Sequence, residues 1–156
     1  MSQKIFLIGL PGAGKTTMGL DLSVHLGIQF VDLDQDIEKE LKLSVSDIFE
    51  QKGEAYFRQL EKYQLEKVIG DLDSFVMATG GGTPCFFDNL ETMKRAGQVI
   101  YIDTPILEIE KRLALDTTRP LMKSNSLKDL YKKRKGWYNQ ADHTIQVYKE
   151  VLEIFS

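Results

Sequence analysis

The first stretch able to do chemistry is "GLPGAGKT", residues 9–16, which fits G-x-x-x-x-G-K-[ST] at every fixed position. Glycines let backbone N–H groups turn toward a phosphate with no Cβ in the way. A helix N-terminus just behind them adds partial positive charge. Lys15 has the reach for β- and γ-phosphates, and Thr16 offers a hydroxyl to Mg²⁺. Gly12, Ala13, Gly14, Lys15, Thr16 and Thr17 are therefore the expected nucleotide-binding residues. A plain tight turn between strand and helix would need glycines but not Lys-Thr at this spacing. Binding of ATP or GTP follows, but the phosphoryl acceptor does not.

Carboxylates come next. "VDLD" places Asp32 and Asp34 two apart, so on an extended strand both side chains face one way. At the carboxyl end of a parallel sheet that face can look into the ligand crevice. Asp32 could then hold Mg²⁺ through water, and Asp34 could take a proton from an acceptor hydroxyl. The alternative is a pair of helix caps before "QDIEKEL", where Asp36 is expected to belong. Asp103, ending a later apolar run, is a lesser candidate. In "GEAYFRQLE", Arg58 and Glu61 lie three apart on one helix face. A guanidinium fork suits a carboxylate, although such a spacing alone reads as a surface ion pair. A second glycine run, "ATGGGTPC", follows another apolar stretch.

These residues need a frame. "KIFLIGL", "IQFVDLD", "SFVMA", "QVIYID" and "HTIQVY" read as five strands. Helices are expected over residues 14–26, "QDIEKELKL", 44–52 with a capping box at "SVSD", 54–69, 106–115, 127–140 and "KEVLEIF". "DTTRPLMKSNS" reads as a polar loop. Strands alternating with helices argue for a parallel sheet covered on both faces.

Bulk properties narrow the options. A chain of 156 residues with 42% hydrophobic and 28% charged residues suits one globular domain. Net charge is -3, so no global basic field points to nucleic acid. No stretch approaches the ~18 apolar residues of a membrane span. The single cysteine, Cys85, excludes an intramolecular disulfide and suits a reducing cytoplasm. The length leaves no room for a motor or helicase, and no "NKxD" run specifies guanine. A small phosphotransferase is the natural reading. His25, His143 and Trp137 are expected to be structural, Cys85 a buried small side chain, and Lys132, Lys133 and Lys135 a solvated helix face.

Taken together, the phosphate loop, "DLD", "GE..FR..E" at residues 53–61, "TGGG" at 79–82 and "RPL" at 119–121 resemble shikimate kinase from Lys4 to about Ala141. The resemblance implies a three-layer P-loop kinase fold. A five-stranded parallel sheet is flanked by helices, with a substrate-binding region at about 34–61 and a lid at about 113–126. It implies one domain over residues 1–156. The implied activity is Mg²⁺-dependent transfer of the ATP γ-phosphate to the 3-hydroxyl of shikimate, in the chorismate pathway to aromatic amino acids. Lys15, Asp34 and Arg119 would be catalytic, with Thr16 and Asp32 at the metal. Arg58, Gly80, Gly81, Gly82 and Arg134 would join Asp34 on shikimate. Arg119 would swing onto the transferring phosphate, and Arg112 would lie against adenine. A cytoplasmic monomer acting on small molecules, with no nucleic acid or membrane partner, is expected. Two features depart from the family. "RKGWY" at 134–138 keeps Arg134 and Tyr138 but has Gly136 and Trp137 where proline and leucine are usual. The last strand also runs almost directly into the last helix, where family members usually have a loop that covers adenine, so no adenine contact is assigned there. Another small-molecule kinase, such as a gluconate kinase, or a non-catalytic nucleotide-binding protein remain alternatives.

Overall fold

A computed structural model describes residues 2–115 and 124–155. Its elements are β1 (Lys4–Ile8), α1 (Lys15–Leu26), β2 (Gln29–Asp32), α2 (Leu33–Leu41), α3 (Val45–Lys52), α4 (Glu54–Asp71) and β3 (Phe75–Ala78). A short 3₁₀ turn (Thr83–Cys85) is followed by α5 (Asn89–Ala96), β4 (Gln98–Ile102), α6 (Ile106–Leu115), α7 (Ser124–Tyr138), β5 (His143–Ile145) and α8 (Tyr148–Phe155). The five strands form one parallel sheet in the order β2-β3-β1-β4-β5.

The strand interiors explain the order. Ile5 to Ile8, Phe75 to Ala78 and Val99 to Ile102 are buried throughout. Continuous apolar runs of this kind belong to central parallel strands covered on both faces. β2 and β5 are more exposed and take the edges. The chain leaves β1 toward β2 and leaves β3 toward β4, crossing in opposite directions. The crevice at the carboxyl ends of β1 and β3 is therefore a topological switch point, where open sheets hold ligands. Register pairs Leu7 with Ala78, and the Thr79 hydroxyl donates to Leu7 O at 2.9 Å. The phosphate loop after β1 and the glycine run after β3 thus leave the sheet side by side.

Local signals behave as the residues dictate. Ser44 Oγ accepts from Asp47 N at 3.0 Å and caps α3. Three findings differ from the sequence reading. β2 stops at Asp32 and the chain turns directly into α2, with Asp32 as its N-cap. β5 is three residues long, and only Gln146 and Val147 join it to α8. Helix α5 was not expected, because eight residues with only Leu90 and Met93 as buried apolar positions carry little periodic signal. No helix among the described residues is long and apolar enough to cross a membrane.

Gly97 delivers β4 to its place beside β1. A Cβ there would stand 2.0 Å from the Lys4 carbonyl oxygen, which is backbone and cannot rotate away. Gly97→Ala is expected to destabilise the fold by about 2 kcal/mol, in the range of overpacked interiors. A urea titration reads this as a lower midpoint with unchanged slope, and an unchanged midpoint would refute it.

Candidate active site

The phosphate loop is shaped by two left-handed glycines, Gly12 (φ 81°) and Gly14 (φ 104°), the latter capping α1. Lys15 opens the helix and is buried, its Nζ donating to Gly9 O and Leu10 O across the loop. The Ala13 carbonyl is held from behind by the Thr104 hydroxyl at 2.7 Å and by Arg112 Nη1 at 3.0 Å. Arg112 also donates to Gly12 O, so its guanidinium lies on the loop itself. Thr17 is exposed.

The two aspartates divide their work differently from the strand-based expectation. They do not share a strand face, because the helix begins between them. Asp32 is both cap and site residue. One oxygen accepts from Gln35 N at 3.1 Å, and the other accepts from the Thr16 hydroxyl at 3.2 Å. Asp36 lies in the first turn but does not cap it. Asp34, also in that turn, carries Oδ1 buried with no hydrogen-bond partner. Its carboxyl is raised to about 6, chiefly by burial, then by the charges of Glu61, Asp32 and Glu38, with Lys15 opposing.

Arg58 and Glu61 are not a surface pair. Glu61 is 0% exposed and Arg58 only 7%. Glu61 accepts from Arg58 Nη1 at 2.9 Å with one oxygen and from the Thr83 hydroxyl at 2.8 Å with the other. The guanidinium stacks over the Phe86 ring, 4.1 Å from its centroid, while Nε has no partner. Arg134 reaches the same place from α7, with Nη1 buried and unpartnered.

The glycine run is where these groups meet. A Cβ on Gly80 would stand 2.9 Å from Asp34 Oδ1, one on Gly81 2.8 Å from Arg134 Nη1, and one on Gly82 2.7 Å from Arg58 Nη2. Each glycine makes room for polar side chains, Gly80 for Glu61 and Thr83 as well as Asp34. Together with Pro11, they line a cleft of about 130 Å³ beside the phosphate loop. The cleft offers a carboxylate ready to accept a proton and two guanidinium groups with unused donors. That set can hold an anionic, hydroxylated small molecule next to a bound phosphate.

Comparison with known proteins fits this arrangement. The shikimate kinase family profile matches residues 11–155. A shikimate kinase of Persephonella marina is 45% identical over 160 residues, covering 96% of this chain and 97% of that protein. The chain belongs to the shikimate kinase family. The shikimate kinase of Acinetobacter baumannii, solved in complex with shikimate, superposes with a TM-score of 0.91 at 33% identity, over 99% of this chain and 93% of that one. A gluconokinase of Sinorhizobium meliloti reaches only 0.57 at 14% identity, a likeness of fold alone.

Among family positions expected at the site, Arg119 and most of the expected lid lie outside the described residues. Lys132, Lys133 and Lys135 are exposed. Trp137 is 39% exposed rather than packed, and Cys85 is half-buried, its thiol pushed up to about 11 mainly by burial. Two residues joined to the cleft escaped the sequence reading, Thr83 and Phe86, which hold Glu61 and Arg58. Their one signal was a short distance from the glycine run. Tyr138, kept in the "RKGWY" run but given no role there, donates to the Gly81 carbonyl.

Asp34 also sets a stability expectation. Its folded pKa stands above the ordinary 3.8, so the native state binds the extra proton between about pH 4 and 6. Stability therefore falls as pH rises through that window and stays lower above it. Asp34→Asn is expected to raise stability at pH 8 by on the order of 1–3 kcal/mol, a gain that shrinks toward pH 4. Thermal melts of both proteins at the two pH values test this, and a pH-independent difference would count against it.

Proposed function

We propose that this chain transfers the γ-phosphate of ATP to the 3-hydroxyl of shikimate, giving ADP and shikimate 3-phosphate. What carries the reading is the convergence of Asp34, Arg58 and Arg134 on the glycine run, beside a complete phosphate loop. Shikimate is a ring bearing one carboxylate and several hydroxyls. Arg58 and Arg134 are matched to the carboxylate, and the backbone of Gly80, Gly81 and Gly82 to the ring face. Glu61 keeps Arg58 in place from below, leaving its remaining donors for the substrate.

Asp34 accepts the proton of the 3-hydroxyl as that oxygen attacks the γ-phosphorus. The bond to the β-phosphate oxygen breaks, and ADP leaves. Lys15 and Arg119 stabilise the charge spread over the transferring group, so that catalysis is positioning and electrostatics. Gly12, Ala13, Gly14, Thr16 and Thr17 hold the phosphates, with Arg112 against the nucleotide. Thr16 and Asp32 would hold Mg²⁺, since the Thr16 hydroxyl and an Asp32 carboxylate oxygen lie 3.2 Å apart and form a hard-ligand pair. When bound, Mg²⁺ neutralises phosphate charge.

Release of ADP in the presence of ATP is expected to depend on shikimate, and turnover of gluconate alone would overturn the assignment. Arg58→Ala is expected to raise the shikimate KM by at least about tenfold, as for a lost charge-assisted bond, with little change for ATP. Equal effects on both substrates would count against the carboxylate contact. Asp34→Asn is expected to lower kcat by about 10²-fold or more while ATP still binds. In the parent enzyme the acid limb of kcat/KM should fall near pH 6, where Asp34 becomes protonated.

A further inference from the structure

Tyr138 ends α7 and is 0% exposed. Its hydroxyl donates to the Gly81 carbonyl at 2.6 Å. Its ring stacks on that of Tyr101 in β4, with centroids 4.9 Å apart and planes 25° from parallel. The Tyr101 hydroxyl in turn donates to Asp103 Oδ1 at 3.0 Å. Arg134 lies four residues earlier on the same helix, one turn away on the same face. Both residues therefore converge on Gly81, Tyr138 at its carbonyl and Arg134 where its Cβ would be. Burial raises the Tyr138 phenol well above its ordinary value, with the Arg134 charge opposing, so the hydroxyl remains a donor at working pH.

The helix does not fix this turn by itself. Gly136 sits between the two residues with no atom within 4 Å of a would-be Cβ. A glycine inside a helix costs about 1 kcal/mol relative to alanine. The direction of Arg134 then depends on what holds the end of α7 from outside the helix.

We propose that Tyr138 is a positioning residue for the acceptor. Its bond to Gly81 O fixes the last turn of α7 against the glycine run and so sets the reach of Arg134 into the cleft. The inference rests on Arg134 meeting the acceptor carboxylate, as proposed above. Tyr138→Phe keeps the ring, its burial and the stack, and removes the hydroxyl with its bond to Gly81 O and its contact with the Arg134 side chain.

Steady-state kinetics of Tyr138→Phe, Arg134→Ala and the double variant test it, with shikimate and ATP varied separately. Tyr138→Phe should raise the shikimate KM about fivefold, the scale of one hydrogen bond, and leave the ATP KM unchanged. Arg134→Ala should raise it further, and the double variant should match Arg134→Ala alone, since Tyr138 acts through Arg134. An unchanged shikimate KM in Tyr138→Phe would overturn the inference. So would equal rises for both substrates, which a merely structural loss produces, or multiplied effects in the double variant. If Arg134→Ala leaves the shikimate KM unchanged while Arg58→Ala raises it, the inference fails but the kinase assignment stands.

Discussion

Glu61 is a carboxylate sealed from water, and the acceptor cleft is arranged around it. Taking a carboxylate out of water costs several kcal/mol unless both oxygens are satisfied. Here Arg58 satisfies one and Thr83 the other, so the cost is offset only while α4 and the turn after β3 keep their present spacing. The same negative charge lies near Asp34 and helps hold its carboxyl above the ordinary range. One buried charge thereby orients an arginine, anchors the end of the glycine run and tunes a neighbouring carboxylate. Phe86 closes the arrangement by covering the guanidinium face.

Much of the frame was legible from residue order. The apolar runs of β1, β3 and β4 have the continuous burial that only central parallel strands need, and they read as strands for that reason. The phosphate loop was legible because its glycines and Lys15 leave few other conformations or uses. The places that did not read through are those where a tertiary contact overrides local pattern. Asp34 looked like a strand residue because "VDLD" alternates, yet Asp32 caps a helix one residue later. Arg58 and Glu61 looked like a surface pair because spacing on one helix says nothing about what covers it. The turn after β3 supplies that cover, and it is near only once the sheet has formed.

The sheet order explains why two glycine runs serve one reaction. β1 and β3 are neighbours, so the loops at their ends share a wall without touching in sequence. The first run turns its backbone toward phosphate, while the second removes side chains so that three others can converge. Pro11, in the first loop, packs where a Cβ on Gly81 would intrude, and this contact closes the seam between the two halves.

That seam bears on inhibitor design. A compound lying in the cleft against Gly80, Gly81 and Gly82 would touch a surface made of backbone. Any side chain introduced there to expel the compound would first strike Asp34, Arg134 or Arg58. Escape by substitution at these three positions therefore displaces a group of the cleft itself, and drug resistance would have to arise elsewhere in the chain.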